Sequence, residues 1–380
     1  MRIQQHRKQE YTALLAAFDN ARRIFDVNLK EKLQKCKNVH FMHNEKFTNP
    51  SINFISEHFP KGENLFLVHR VVPDSYNAQK FPEGENVIES DYRLLDPKDF
   101  VGKKLIFHSL FDSMAVVWLY KNKNLLEHSY WMVWGGDFYN APPDEANTFV
   151  RQNIYGIGCI FDSEPIKQKY GTNHKFFSTH LALSPAPLAP KNIARKIRDK
   201  NAPVVIQVNN SADVSTLEIL DILAKFKDEN IQIRTIVSYG MLGIPNLIPA
   251  IINKGKEIFG DKFSYLDKMI SAQDYNKYLA QNDILILYQN RQQGVTNLYT
   301  SLALGKKVFV KFDTTSAQNI KKWCEIYDSN KIKNMDFNEF CEISEEAILG
   351  NIQKITAADS NEGSKIKAFS TVLDDVFVKH

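Results

Sequence analysis

Asp283-Ile284-Leu285-Ile286-Leu287-Tyr288-Gln289-Asn290-Arg291-Gln292-Gln293-Gly294-Val295-Thr296-Asn297 passes from an unbroken apolar run, through a polar stretch, to a glycine that opens a new periodic segment. An apolar run without alternation is what a strand covered on both faces of a parallel sheet requires. A helix starting at Gly294 then serves as the crossover of an α/β unit. The alternation extends to both sides. Strands are predicted at Val204–Val208, Ile231–Val237, Phe263–Leu266, Asp283–Tyr288 and Val308–Lys311, with helices at Val214–Phe226, Leu247–Phe259, Ala272–Gln281 and Val295–Leu304 between them.

Upstream, Asn38–Met42, Leu65–His69, Lys104–Phe107, Tyr130–Trp134 and Tyr155–Phe161 predict the strands of another such unit. The two are separated by Leu183-Ser184-Pro185-Ala186-Pro187-Leu188-Ala189-Pro190, too rich in proline for a sheet centre or helix interior. The expected organisation is α/β: a first doubly wound unit over 38–184, a linker over 185–200, a second unit over 201–345, and a helical tail over 346–380. Ligands of open α/β sheets settle outside the carboxyl ends of the strands. The loops at those ends therefore carry the search for chemistry.

Residues 1–37 stand apart. Leu14, Phe18, Ala21, Phe25, Leu29 and Leu33 recur at helical spacing, and nine Lys/Arg face four acids, so this stretch is more positive than the whole chain at +4. One reading is a helix packed on the body with a solvated basic face; the other is an element drawn to an anionic membrane surface. With 48 Lys+Arg against 44 Asp+Glu in 380 residues, the chain is too balanced to coat nucleic acid. Its four dispersed cysteines form no C-x-x-C pair, which argues against a disulfide framework or a structural metal and for a reducing cytoplasm. No apolar run approaches the roughly 20 residues of a membrane span.

In the second unit three loops have the composition of an anion site. Asn209-Asn210-Ser211-Ala212-Asp213 follows the Val204–Val208 strand, Ser238-Tyr239-Gly240 follows Ile231–Val237, and Gln289–Gly294 supplies a cation, Arg291, and a glycine at a helix N-terminus. Such a terminus favours phosphate through its dipole and unpaired N–H groups; simple N-capping by Asp213 is the plainer account of the first loop. No G-x-x-x-x-G-K-[ST] and no strand-linked G-x-G-x-x-G occurs, and there is no D-x-D triplet to chelate a metal–diphosphate. In the first unit, Phe107-His108 ends a strand, and Trp134-Gly135-Gly136-Asp137-Phe138-Tyr139 places a carboxylate among aromatics suited to a sugar ring. A Gly-Gly turn closed by an Asx bond is the structural alternative for Asp137.

These strings, Trp134–Tyr139, Phe107-His108, Asn210–Asp213 and Arg291–Gly294, in this order and at these separations, resemble glycosyltransferase family 56, the TDP-N-acetylfucosamine:lipid II N-acetylfucosaminyltransferase family. The resemblance spans about residues 38–325. It implies a GT-B fold, two Rossmann-like domains facing across a cleft with the nucleotide-sugar donor on the C-terminal one and the acceptor on the N-terminal one, here with an extra N-terminal helical segment. It also implies no cofactor and no metal. Carried over by position, Asn210, Ser211, Tyr239, Gly240, Arg291, Gln292, Gln293, Gly294 and Thr296 would hold a dTDP- or UDP-sugar. Trp134 and Tyr139 would meet the acceptor, and Asp137, with His108 second, would take the hydroxyl proton. The expected acceptor is a polyprenyl-linked glycan of cell-envelope polysaccharide synthesis, reached from the cytoplasm at the inner membrane face. Two alternatives are a nucleotide-sugar 2-epimerase of the same fold, which would turn over donor alone, and a non-catalytic nucleotide-sugar-binding or scaffold protein.

Overall fold

A computed structural model describes residues 27–45, 47–69, 81–171, 173–179, 193, 198–199, 201–240, 244–359 and 362–377. The proline-rich stretch 183–190 and the first 26 residues lie outside them. Contacts divide the chain into two compact units: Met1–Pro185 with Ser364–His380, and Ala186–Gly363.

The first unit is built on a parallel sheet of seven strands: β1 (Asn38–His43), β2 (Asn64–His69), β3 (Val87–Glu89), β4 (Lys104–His108), β5 (Ser129–Met132), β6 (Gly156–Gly158) and β7 (Lys175–Phe177), in the order β3-β2-β1-β4-β5-β6-β7. Short β3 and β7 escape a hydropathy reading because three residues make no periodic signal. One face packs Val39, Phe41, Leu65, Leu67, Leu105, Phe107 and Trp131 against helices Ser113–Lys121 and Glu145–Asn153. The other packs Met42, Phe66, Val68, Ile106 and Tyr130. The two apolar faces explain why these strands read as continuous runs.

The second unit repeats the plan with six parallel strands: β8 (Val204–Val208), β9 (Ile231–Ile236), β10 (Phe263–Leu266), β11 (Ile284–Leu287), β12 (Lys307–Val310) and β13 (Tyr327–Asp328), ordered β10-β9-β8-β11-β12-β13. Ile206, Val208, Ile233 and Ile286 face one core, and Leu285, Leu287, Val308 and Val310 the other. In both sheets the order reverses beside the first strand, between β1 and β4 and between β8 and β11. That switch point is where the loops on either side diverge and leave a crevice.

The two ends of the chain differ from the expected divisions. Residues 27–35 are helical, and Leu29, Leu33 and Cys36 are buried in the first unit's core, so this part of the basic stretch is packed on the body with Lys30 and Lys35 outward. The tail is shared between the units. Helix Glu345–Asp359 places Ile355 in a core of the second unit, whereas helix Glu362–Leu373 places Phe369 and Val372 in the first unit's, beneath Met42 and Phe66. Lys104 fastens that return: its ammonium donates to the carbonyls of Val372, Leu373 and Asp375 at 2.6, 2.5 and 2.8 Å. Among the described residues no helix is long and apolar enough to cross a membrane.

Candidate active site

At the switch point of the second unit, the loops after β8 and β11 are joined by side-chain amides. Gln289 donates to Asn210 Oδ1 at 3.0 Å, and Gln293 donates to Ser211 Oγ. Asn209, fully buried and left-handed at φ 53°, receives the Tyr288 N–H on Oδ1 at 2.8 Å and donates to Thr216 Oγ1 at 2.9 Å. The loop after β9 joins from the other side, where Ala212 N–H donates to the Tyr239 carbonyl at 2.7 Å and Ala212 bridges Gly240. Three loops far apart in sequence thus form one rim. Arg291, Gln292 and Thr296 belong to its β11 side.

Gly294 is required there twice over. Its φ of 68° is left-handed, and a Cβ would lie 2.8 Å from Asn210 Oδ1. It precedes helix Val295–Ala303, whose N-terminus has no side-chain cap. Helix Ser215–Leu223 differs, because Asp213 Oδ1 accepts from Ser215 N–H at 2.9 Å and Ser215 Oγ at 2.6 Å. Asp213, one residue before the cap position Val214, is thus engaged with the first turn of its helix, whereas at Gly294 no side chain bonds to the helix start. A second cation stands beside it that the sequence pattern places only at a strand end. Lys311, 6% exposed, donates to Asn290 Oδ1 at 2.6 Å and lies 3.7 Å from the centre of the Tyr288 ring. A lysine ending an apolar strand next to the predicted anion loop is the signal that could have found it.

The second unit also holds a cavity of about 160 Å³, lined in part by Arg198, Asp283, Lys306, Lys307 and Cys341. It lies at the amino ends of the strands, and both lysines already donate to backbone carbonyls, Lys306 to Ala280 and Lys307 to Glu339 and Glu342. It is separate from the rim.

In the first unit, Asp137 is 2% exposed in the short helix Gly136–Tyr139. Its Oδ2 accepts from Leu110 N–H at 2.9 Å and Trp131 Nε1–H at 2.6 Å, and Oδ1 accepts from Trp134 N–H at 2.9 Å. Buried Arg151 completes the tie, donating to the carbonyls of Leu110 and Asp137 at 2.9 and 3.0 Å. Burial raises the Asp137 pKa, and the bonds from Trp131 and Leu110, with the Arg151 charge, oppose that rise. Three of about four acceptor positions of the carboxylate are filled by the protein. Asp137 thus closes the Gly-Gly turn through three hydrogen bonds to its carboxylate. The turn needs both glycines: Gly135 has φ 86°, and a Cβ on Gly136 would lie 2.5 Å from the Phe111 ring.

Of the aromatic pair, Tyr139 donates its hydroxyl to Asp162 at 2.7 Å. Trp134 Nε1 is buried without a hydrogen-bond partner among the described residues. His108, 1% exposed at the end of β4, belongs to a group of histidines that motif reading does not assemble. His43 ends β1 and His69 ends β2, in register with each other, and His40 lies inside β1 with Nδ1 3.0 Å from His108 Nε2. Burial is the main cause that holds all four neutral: His40 falls to about 4, His69 to about 3, His43 is lowered against the pull of Asp112, and His108 is driven well down with His40 and His43 adding to the effect. A group so reluctant to protonate is a weak base but a good fixed acceptor of a hydrogen bond. Among the described residues no three ligand-type side chains are grouped to hold a metal ion.

Two Rossmann-like units with loops of this kind at their switch points define a glycosyltransferase of the GT-B fold, and comparison with known proteins agrees. The structure described as "Trehalose-6-phosphate from E. coli bound with UDP-2-fluoro glucose" is similar over 89% of this chain and 99% of its own, with 10% identity and a TM-score of 0.60. Sucrose-phosphate synthase from Thermosynechococcus elongatus matches over 89% of this chain and 98% of its own, at 9% identity and TM-score 0.60. A UDP-forming trehalose-phosphate synthase from Burkholderia xenovorans covers 90% and 100%, at 9% identity and TM-score 0.60. At these identities the likeness is one of fold. The family model for 4-alpha-L-fucosyltransferases, glycosyl transferase group 56, matches residues 94–323, more than half of the sequence, and the chain belongs to that family. No curated protein matches the sequence.

Proposed function

We propose that this glycosyltransferase moves a sugar, an acetamido-deoxyhexose in the first instance, from a dTDP- or UDP-sugar to a polyprenyl-linked glycan in the assembly of a bacterial cell-envelope polysaccharide. The observation that carries the donor half is the knitted rim of the second unit. An uncapped helix start at Gly294, with Arg291 and Lys311 in the loop and strand end beside it, is suited to a leaving diphosphate. Each well-aimed donor of this kind contributes a few kcal/mol where negative charge develops. Asn210, Ser211, Gln292, Gln293 and Thr296 then hold the phosphates and sugar, and Tyr239 and Gly240 the nucleoside. With two cations and a helix terminus as counter-charge, the reaction runs without a metal.

The acceptor belongs to the first unit, with Trp134 and Tyr139 as its aromatic surface. Its hydroxyl oxygen bonds to the anomeric carbon as the carbon–oxygen bond to the diphosphate breaks, and the hydroxyl proton passes to the departing diphosphate. His108 orients that hydroxyl, and Asp137 holds the loop that carries Trp134. The basic residues of 1–37 draw the protein to the anionic inner face of the membrane, at roughly 1 kcal/mol per charge near the surface.

The test is thermal unfolding with TDP, UDP, GDP and ADP, each with and without Mg²⁺. A ligand at 100 times its dissociation constant adds about 2.7 kcal/mol. The expected outcome is a shift with one pyrimidine diphosphate that is the same without the metal; no shift with any nucleotide overturns the donor assignment. For the membrane, deletion of residues 1–26 is expected to abolish sedimentation with anionic vesicles, and unchanged sedimentation removes that role.

A further inference from the structure

A line of polar side chains crosses the apolar face of the first sheet. Asn38 and Asn64 face each other at the amino ends of β1 and β2, with Asn38 Nδ2 donating to Asn64 Oδ1 at 3.0 Å. His40 Nε2 lies 3.1 Å from the same Oδ1, and His40 Nδ1 lies 3.0 Å from His108 Nε2. All four residues are at most 5% exposed, among Phe66, Ile106 and Phe369. In such surroundings each of these polar groups would cost free energy if left without a partner.

From this geometry we infer that Asn38, Asn64 and His40 are positioning residues that lock His108 in its Nε2–H tautomer and so present Nδ1 as a bare hydrogen-bond acceptor. The direction follows from counting protons. Oδ1 of Asn64 only accepts, so His40 must carry its proton on Nε2. A neutral imidazole has one N–H, which leaves His40 Nδ1 as an acceptor and requires the proton of His108 to sit on Nε2. His108 Nδ1 then ends the line as a lone pair, buried and without a partner among the described residues. Running the line the other way turns both asparagine amides and ends on a buried His108 Nδ1–H with no acceptor, an orphan donor costing about 1–3 kcal/mol. Burial and the Lys104 charge oppose protonation of His40, which keeps the count at one proton per ring.

The part of this inference that concerns transfer rests on the proposed function; the tautomer does not. It is read first, on the whole protein without substrate, by long-range proton–nitrogen correlation spectra of ¹⁵N-histidine-labelled enzyme, with H108Q used only to assign the His108 signals. The expected result is an Nε2–H His108 in the wild type and in Asn64→Asp, which keeps an acceptor for His40, and a tautomer mixture in Asn64→Leu. An Nδ1–H His108 in the wild type overturns the inference, as does a His108 spectrum unchanged by Asn64→Leu. Where a pyrimidine-sugar donor has been found, Asn64→Leu is expected to lower kcat about tenfold, roughly 1.4 kcal/mol, with the donor KM unchanged and Asn64→Asp restoring the rate. A loss confined to donor KM refutes the positioning role, whereas a protein bound by none of the four nucleotides overturns the donor assignment and leaves the tautomer result standing.

Discussion

The two units share a strand plan but equip their switch points with opposite chemistry. All ten histidines lie within 1–185 or 364–380, and none within 186–363. The first unit ends β1, β2 and β4 in His43, His69 and His108, whereas in the second Asn209, Gln289 and Lys311 lie just beyond the ends of β8, β11 and β12. An amide rim with two basic side chains is complementary to fixed negative charge. A buried histidine group offers neutral acceptors that a proton would disrupt. The shared sheet order decides where a ligand can sit, and the residues at the strand ends decide what kind.

The widest separation of the units should come with acid. His40 and His69 titrate near 4 and 3 when folded, against an ordinary 6.5, so between those values the unfolded chain binds more protons than the folded unit. Their contribution is fully present above pH 6.5 and is lost as the pH falls toward 4 and then 3, at about 1.4 kcal/mol per pH unit for each. Hydrogen exchange followed by peptide should show the first unit opening in this window ahead of the second; simultaneous opening would break the comparison. Next in size, Arg291→Ala is expected to lower turnover about 100- to 1,000-fold with unchanged melting, as for loss of one charge-stabilising donor. Near-normal turnover would remove Arg291 from the donor rim.

Asp137→Asn sharpens the contrast from the other side. An amide cannot accept at both positions where N–H groups point, so the first unit should lose about 2–3 kcal/mol in denaturant unfolding. Unchanged stability with collapsed turnover would instead identify Asp137 as a catalytic group. The smallest effect is expected for Gly294→Ala, about 1–2 kcal/mol of strain from the left-handed backbone and the approach of Asn210. It should weaken nucleoside diphosphate binding, seen as a reduced melting shift; a shift equal to that of the wild type would place the diphosphate elsewhere.

Much of the fold and part of the site are legible in the sequence. The run Ile284–Leu287 identifies a buried strand, and Gln289–Gly294 identifies its loop, because burial on two faces and a helix start are both written in adjacent residues. Asn210, Ser211 and Gln293 stand out one by one, and their assembly into one rim agrees with their common position at strand ends. Asp137 stands out as a carboxylate among aromatics, but the bonds that close its turn are not legible there, because Leu110 and Arg151 lie 27 and 14 residues away. His40 gives no signal, sitting inside a strand whose other residues are largely apolar.

The sequence by itself determined that strands and helices alternate, that the strands are covered on both faces, and which loops are polar. Side-chain period and composition are local properties that survive in any arrangement of the elements. The tertiary structure alone decided that β1 lies between β2 and β4, which brings His40 to His108 across 68 residues, and that Phe369 and Val372 return to the first unit. Hydrogen-bond partners and core neighbours are set by strand order, and strand order has no local code.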